Sequence, residues 1–341
     1  MVLTIDRNIQ AEAERILKNL VQAYTAAGGS IIVQEPQTGR IIALVNYPSF
    51  NPNNYSQYDI KNFTNPAVQA IFEPGSVFKV ITLAAGLDSG AITPETTYYD
   101  TGVLTFPDGK KIKNWDFKAH GTVGISGILE KSLNTGSAFV ESRLGHKNFY
   151  NYLVKFGFGG VTGIDLPGEI SGSLNNIKKY DAPIHFATAS FGQGISVTPI
   201  QLISAISAIA NKGLWLTPQI TENTPAPEVR RVISEKAAVQ IAQMKEQAVN
   251  KAGMARIAQY RVAGKTGTAQ LPDFKSGGYT NDVINSYAGF APVSRPQFSA
   301  LIKLDKPEGA PLAGATVVPA FRELAQFILN YYNIPPDDLH P

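Results

Sequence analysis

Ser76 and Lys79 lie three residues apart in the segment Glu73-Pro74-Gly75-Ser76-Val77-Phe78-Lys79. On a helix, residues i and i+3 share a face, so the hydroxyl and the amine would meet. A serine hydroxyl is a weak nucleophile until a base takes its proton. A free lysine, with a pKa of about 10.4, is protonated at neutral pH and cannot be that base. Burial and a nearby second cation both disfavour its charge, and a drop of about three units costs about 4 kcal/mol. A buried Lys79 would therefore equip Ser76 for acyl transfer. Ser-x-x-Lys also arises by chance about once in a chain of this length. The same pair fits a helix-capping serine beside a lysine that snorkels to water.

Lys265-Thr266-Gly267 is rarer, with about 0.1 chance occurrences expected. Its flanks, Val262-Ala263 and Thr268-Ala269, read as a strand. Strand alternation puts Lys265 and Gly267 on its outer face and Thr266 and Thr268 on the other parity. A glycine in a strand admits a backbone or a ligand at close range. Lys265 is the cation that could depress Lys79. A third element, Ser-x-Asn, occurs at 49–51, 132–134 and 173–175. The first copy lies in a Pro/Asn loop and the third in a turn. Ser132 lies in the helical segment that begins Gly127 to Lys131 and is followed by Gly136, which favours Ser132 and Asn134 over the other two copies.

The elements that must position these residues are legible from periodicity. Asp6 is an N-cap for a helix whose Ile9, Ala13, Ile16, Leu17, Leu20, Val21 and Tyr24 recur at helical spacing, with Gly28-Gly29 as its stop. Residues 30–33 and 40–46 read as strands joined by the turn Pro36-Gln37-Thr38-Gly39. Residues 76–87 are apolar on all sides, as in a buried helix. Short strands fall within 103–112, helices over 126–144, 199–210 and 234–250, and strands over 261–270, 285–290 and 297–304. A closing helix covers 317–332. The fold class is α/β in the α+β sense: a five-stranded, mainly antiparallel sheet flanked by helices, with an inserted, mainly helical subdomain. The sheet subdomain spans about 1–90 and 255–341, and the helical one about 91–254.

Composition narrows the chemistry. The chain has 341 residues, a net charge of +3 and no cysteine, which removes thiol nucleophiles, disulfides and cysteine-based zinc sites. His120, His146, His185 and His340 show no metal-ligand spacing, so no metal site is assigned. No block of five basic residues occurs, so no nucleic-acid footprint is indicated. No run of 18 apolar residues exists either.

Taken in order, Ser76-x-x-Lys79, Ser132-x-Asn134 and Lys265-Thr266-Gly267 resemble the active site of penicillin-binding proteins and serine β-lactamases. Four further stretches are similar to the transpeptidase domain of class B penicillin-binding proteins. They are Asn46 to Pro52, Phe156 to Glu169, Gly192 to Leu202 and Ala263 to Gln270. The resemblance covers residues 1 to about 332.

It implies the following roles. Ser76 attacks the bond between the two terminal D-alanines of a peptidoglycan stem peptide, and Lys79 takes its proton. Ser132 relays a proton to the leaving D-alanine, and Asn134 holds the substrate. Lys265 sets the electrostatics, Thr266 and Thr268 bind the terminal carboxylate, and backbone N–H groups of Ser76 and Thr268 form an oxyanion hole. β-Lactams would acylate Ser76, and no cofactor is implied. Family members usually carry an N-terminal anchor and a pedestal domain, so the chain reads as an excised transpeptidase domain. The parent protein would sit on the extracytoplasmic face of the bacterial membrane with a glycosyltransferase partner. Two alternatives share the Ser76 nucleophile. A class A β-lactamase needs a glutamate-held water, and the one Glu-x-x-Leu-Asn match, Glu130 to Asn134, overlaps the Ser132 motif. A catalytically inert antibiotic sensor would bind β-lactam at Ser76 without turning over peptide.

Overall fold

The structure is a computed structural model that describes residues 2–180, 182–222, 226–273, 276–309 and 312–338. His340 lies outside the described residues. Helix α1 spans Arg7–Ala23. The Asp6 carboxylate accepts the N–H groups of Asn8 and Ile9 at 2.9 and 3.1 Å, and six apolar residues of the expected stripe, from Ile9 to Val21, are buried. The expected glycine stop is corrected. The helix ends at Ala23, Thr25 takes the left-handed conformation with φ 46°, and Gly28 and Gly29 open strand β1 (Gly28–Gln34). A Cβ on Gly29 would stand 2.8 Å from Leu17 Cδ1 and from the Lys303 carbonyl. That glycine lets α1 press on the sheet.

Strand β2 (Ile41–Tyr47) completes the hairpin, and the short α2 (Pro66–Gln69) and then α3 (Lys79–Asp88) follow. Strands β3 (Thr97–Asp100), β4 (Val103–Thr105), β5 (Lys111–Lys113) and β6 (Gly121–Gly124) make two small antiparallel pairs, β3 with β6 and β4 with β5. Next come α4 (Ile125–Glu130), α5 (Asn134–Leu144), α6 (His146–Lys155), α7 (Asn175–Lys179) and α8 (Pro183–Ala189). Helix α9 (Pro199–Ala210) starts with a capping box between Thr198 and Gln201 and is buried along its whole length. Strands β7 (Leu214–Leu216) and β8 (Val229–Arg231) pair, and α10 (Glu235–Ala252) begins at its cap Ser234. The chain closes with β9 (Ala263–Pro272), β10 (Tyr279–Ala291), β11 (Phe298–Asp305) and α11 (Val317–Tyr331).

The main sheet has the order β2-β1-β11-β10-β9, and every neighbouring pair is antiparallel. Period-two alternation separates its two faces. Ile31, Val33, Ala300, Ile302 and Tyr287 join α1 and α11 in one apolar layer. Ile32, Leu301, Ala288, Phe290 and Ala263 join α3, α9 and α10 in another. Burying each such large side chain is worth about 1.5–3 kcal/mol against leaving it in water, which pins the register of all five strands. The consequence for function is that β9 is an edge strand. Alternate backbone groups along its free side have no partner in the sheet and are available to a substrate.

Candidate active site

The segment after Pro74 does not enter the α-helix directly. Gly75–Phe78 forms a 3-10 turn, and α3 begins only at Lys79. In a 3-10 turn the side chains at i and i+3 eclipse, which stacks Lys79 over Ser76 more closely than α-helical spacing would. The Lys79 Nζ lies 3.0 Å from the Ser76 Oγ. Lys79 has no solvent exposure, whereas Ser76 is half-buried and open to one side. Two glycines allow this turn to fit. A Cβ on Gly267 would stand 2.9 Å from the Pro74 carbonyl and 2.5 Å from Ser286 Oγ, so only glycine lets β9 press against the turn. A Cβ on Gly192 would stand 2.3 Å from the Gly75 carbonyl.

Lys265 also sits differently from the expected outer-face lysine. It shares its parity with Ala263 and Gly267, and that face is the one covered by the helices, so it is 4% exposed. Its Nζ donates to Ser132 Oγ at 3.1 Å and to the Thr266 carbonyl and hydroxyl at 3.1 and 3.2 Å. Lys79 Nζ reaches the same Ser132 Oγ at 3.2 Å and donates to the Ser132 carbonyl at 2.6 Å. One hydroxyl thus bridges two buried amines that are 186 positions apart in sequence, at 79 and 265.

Ser132 corrects a second expectation. It lies not within a helix but in a break between α4 and α5, at φ 55°. A non-glycine residue in the left-handed region costs about 1–2 kcal/mol, so something must hold it there. The Lys79 bond to its carbonyl is one tie. A buried polar network is another: Thr135 donates its hydroxyl to Asp100 Oδ1 at 2.7 Å and its N–H to Asn114 Oδ1 at 3.3 Å. Asn114 Nδ2 donates to Asp100 Oδ2 at 2.9 Å, and all three residues are 1% exposed. Asn134 Nδ2 donates to the Lys113 carbonyl at 2.9 Å. Sequence reasoning missed Asp100 and Asn114. They fall in turn-like segments where polar residues are unremarkable, and only the fold buries them.

Thr266, Gly267 and Thr268 line β9 beside Ser76 as expected from their order, with Thr266 and Thr268 half-buried. The Thr268 hydroxyl accepts the Ala313 N–H at 3.2 Å. The other two Ser-x-Asn copies are elsewhere. Asn51 caps an exposed 3-10 segment, and Ser173 pairs with Ser196. Glu73, three residues before Ser76, accepts the Gly194 N–H at 2.9 Å and the Tyr279 hydroxyl at 3.1 Å, joining the nucleophile turn to two other walls of the cleft.

The electrostatics follow from burial. Loss of water first, and then the charge of Lys265, push the Lys79 amine well below the ordinary lysine value. Burial lowers Lys265 to about 8. Of the pair, Lys79 is the one driven furthest toward the neutral form, and Lys265 keeps most of its charge near neutral pH. A neutral amine offers a lone pair to the Ser76 O–H, and the charged partner offers protons to whatever anion enters beside it. This constellation can generate a serine alkoxide, stabilise a carboxylate and return a proton to a leaving amine.

Comparison with known proteins agrees with that chemistry. Residues 29–326 match the model of the penicillin-binding protein transpeptidase domain. The chain is 36% identical over 335 residues to stage V sporulation protein D of Bacillus subtilis, covering 93% of this chain and 51% of that protein. It is 32% identical over 348 residues to the peptidoglycan D,D-transpeptidase FtsI of Escherichia coli, covering 99% and 57%. It therefore spans about half the length of the curated relatives it matches. Among solved structures, penicillin-binding protein 3 of Mycobacterium tuberculosis in complex with aztreonam superposes with a TM-score of 0.91 at 30% identity, covering 98% of this chain and 80% of that one. With a match over most of its length and its three motifs drawn together at one edge strand, the chain belongs to the penicillin-binding protein transpeptidase domain family.

Proposed function

We propose that this chain is the catalytic domain of a serine D,D-transpeptidase that cross-links peptidoglycan stem peptides through an acyl-enzyme on Ser76. The observation that carries the reading is the Ser132 hydroxyl held between Lys79 and Lys265, with Ser76 within 3.0 Å of the neutral amine. The neutral Lys79 accepts the Ser76 proton as Oγ attacks the carbonyl between the terminal D-alanines. The oxyanion forms against the backbone N–H groups of Ser76 and Thr268, each donor worth about 3 kcal/mol in comparable enzymes. Ser132 passes a proton from the lysine to the leaving amine, and D-alanine departs. An amine from a neighbouring stem peptide then attacks the ester, forms the cross-linking amide and frees Ser76. Lys265, with the Thr266 and Thr268 hydroxyls, receives the terminal carboxylate, and Asn134 holds the peptide amide. Gly267 keeps β9 close enough for the substrate to pair along it.

Supporting this reading are the relative named as a peptidoglycan D,D-transpeptidase and the neighbour solved with aztreonam, a β-lactam. A β-lactam carries the same carboxylate and acyl group and would trap the acyl-enzyme. No helix among the described residues is long and apolar enough to cross a membrane. In the parent protein, an anchor and a pedestal domain would hold this unit at the extracytoplasmic face of the membrane beside a glycosyltransferase partner. The sheet subdomain, about 1–90 and 255–341, would supply β9, and the helical one, about 91–254, would supply Ser132.

The test is incubation with a fluorescent penicillin, peptide mass mapping, and release of D-alanine from a stem-peptide analogue. A stable adduct on Ser76 with D-alanine release is the expected result. Equal labelling of Ser76→Ala removes the nucleophile assignment. Rapid penicillin hydrolysis makes the protein a lactamase, and labelling without D-alanine release makes it a sensor.

A further inference from the structure

Beside the cleft, one segment exposes two aromatic rings that contribute little to the core. Trp115 is 56% exposed and Phe117 is 78% exposed. Phe117 also takes the left-handed backbone region, at φ 58°, which a bulky side chain adopts only at a cost. An exposed apolar ring on a strained backbone offers the fold nothing by itself, and it lies two residues from a second exposed ring.

The segment is not loose. Trp115 Nε1 donates to the Lys131 carbonyl at 2.9 Å, and Asn114 and the Lys113 carbonyl hold Thr135 and Asn134 from the other side. The ledge is therefore clamped to both flanks of Ser132 and is continuous with the cleft. Its charge is one-sided. Residues 108–118 carry four lysines against two aspartates. Asp108 is paired with Lys110, and Asp116 is turned to His120 at 2.9 Å. Lys111, Lys113 and Lys118 face solvent without a carboxylate partner among the described residues, and the Lys113 ammonium stands 5.9 Å over the Phe117 ring.

Resting on the function proposed above, we infer that Trp115, Phe117 and Lys113 form a subsite for the glycan strand that carries the stem peptides. The rings stack on the apolar faces of N-acetylated sugar rings, and the ammoniums of Lys111, Lys113 and Lys118 meet the carboxylates of stem peptides along the strand. The subsite distinguishes polymeric from free peptide substrate. Its clamp on Ser132 places the sugar-bearing end of the substrate at the Asn134 side of the cleft.

The chain has two tryptophans, and Trp215 is buried, so a change in emission when a ligand binds reports Trp115 and this ledge. The probe is an N-acetylhexosamine tetrasaccharide bearing pentapeptides. Titration should give a saturable change in emission, and the combined variant Phe117→Ser with Lys118→Ala should weaken binding about tenfold, equivalent to about 1.4 kcal/mol. In the same variant, kcat/KM for the glycan-linked substrate should fall by a similar factor. Activity on a free pentapeptide and penicillin labelling of Ser76 should change less than about twofold, which shows that the variant is folded. The inference is overturned if both substrates lose activity equally, or if neither does. It is also overturned if polyglutamate or anionic lipid vesicles shift the emission as the glycan does. Absence of Ser76 labelling in the parent protein would instead remove the functional reading beneath it.

Discussion

Lys303 is buried beside its partner Asp305, but two regions of this molecule bury lysines without a carboxylate partner among the described residues, and they end differently. In the cleft, Lys79 and Lys265 are sealed from water but surrounded by the hydroxyls of Ser76, Ser132 and Thr266. In the helical layer, Lys245 on α10 has no exposure and no hydrogen-bond partner for its Nζ among the described residues, and its ammonium stands 4.5 Å from the centre of the Phe290 ring. Burial lowers Lys245 to about 7 and drives Lys79 well below the ordinary value. Desolvation alone is thus enough to bring the titration of a lysine down to neutral pH. A base also needs an acid to deprotonate and a route for the proton, and only the cleft supplies them. The lone amine of Lys245 is stacked on a ring and costs stability.

That contrast can be broken most sharply at Lys79. Lys79→Ala should slow penicillin acylation by at least about 10², in the range for a lost general base. Its melting temperature should fall by a few degrees, because the truncation leaves a cavity and removes the tie to the Ser132 carbonyl. Near-normal acylation would take Lys79 out of the mechanism.

Lys245→Met should leave acylation unchanged and stabilise the fold by on the order of 3 kcal/mol at neutral pH. The sign follows from linkage. The folded value of about 7 lies below the ordinary 10.5. Between them the unfolded chain binds more protons, so this residue makes stability climb as pH rises through that window. Denaturant melts at several pH values should show that climb weakened in the variant, and a destabilised Lys245→Met would show that the amine has a partner in solution.

Lys265 offers the next effect. Acylation should decline as pH rises through about 8, where this cation is lost. In Lys265→Gln the alkaline decline should vanish. The acid limb should move to higher pH, because Lys79 no longer feels a neighbouring charge. Binding of carboxylate substrates should weaken about tenfold, a loss typical of one charge-assisted contact. An unshifted acid limb would mean that the two lysines are not coupled.

The smallest effect belongs to the support beneath Ser132. Thr135→Val removes the hydroxyl that meets Asp100 and should cost about 1 kcal/mol of stability. Acylation should slow a few fold while the penicillin-binding step is preserved, as stopped-flow separation of the two would show. A pure stability loss with a normal acylation rate would make the network structural only.

Much of this architecture was readable in advance. The apolar stripe of α1 and its Asp6 cap, the parity of β9 and the burial of α3 are local properties, since they follow from side-chain type and from periods of 3.6 and 2. Ser76, Lys79 and Lys265 could be nominated from residue type, because burial lowers the pKa of a lysine whichever fold performs the burial. The misreadings share one cause. Gly28 and Gly29 looked like a helix stop and serve instead as the place where α1 touches the sheet. Ser132 looked helical and sits in a left-handed break. Asp100 and Asn114 looked like ordinary turn residues and hold that break in place. Each of these depends on atoms more than ten residues distant.

The amino-acid sequence by itself therefore determined the periodic elements and the inventory of reactive groups, because both are set within a few residues along the chain. Tertiary structure decided which of three Ser-x-Asn copies meets the lysines and which face of β9 is covered. It also decided which buried lysine works and which is idle. A pKa and a hydrogen bond are settled by the few ångströms around an atom, and in this molecule those ångströms are filled by residues from positions 76, 132 and 265 at once.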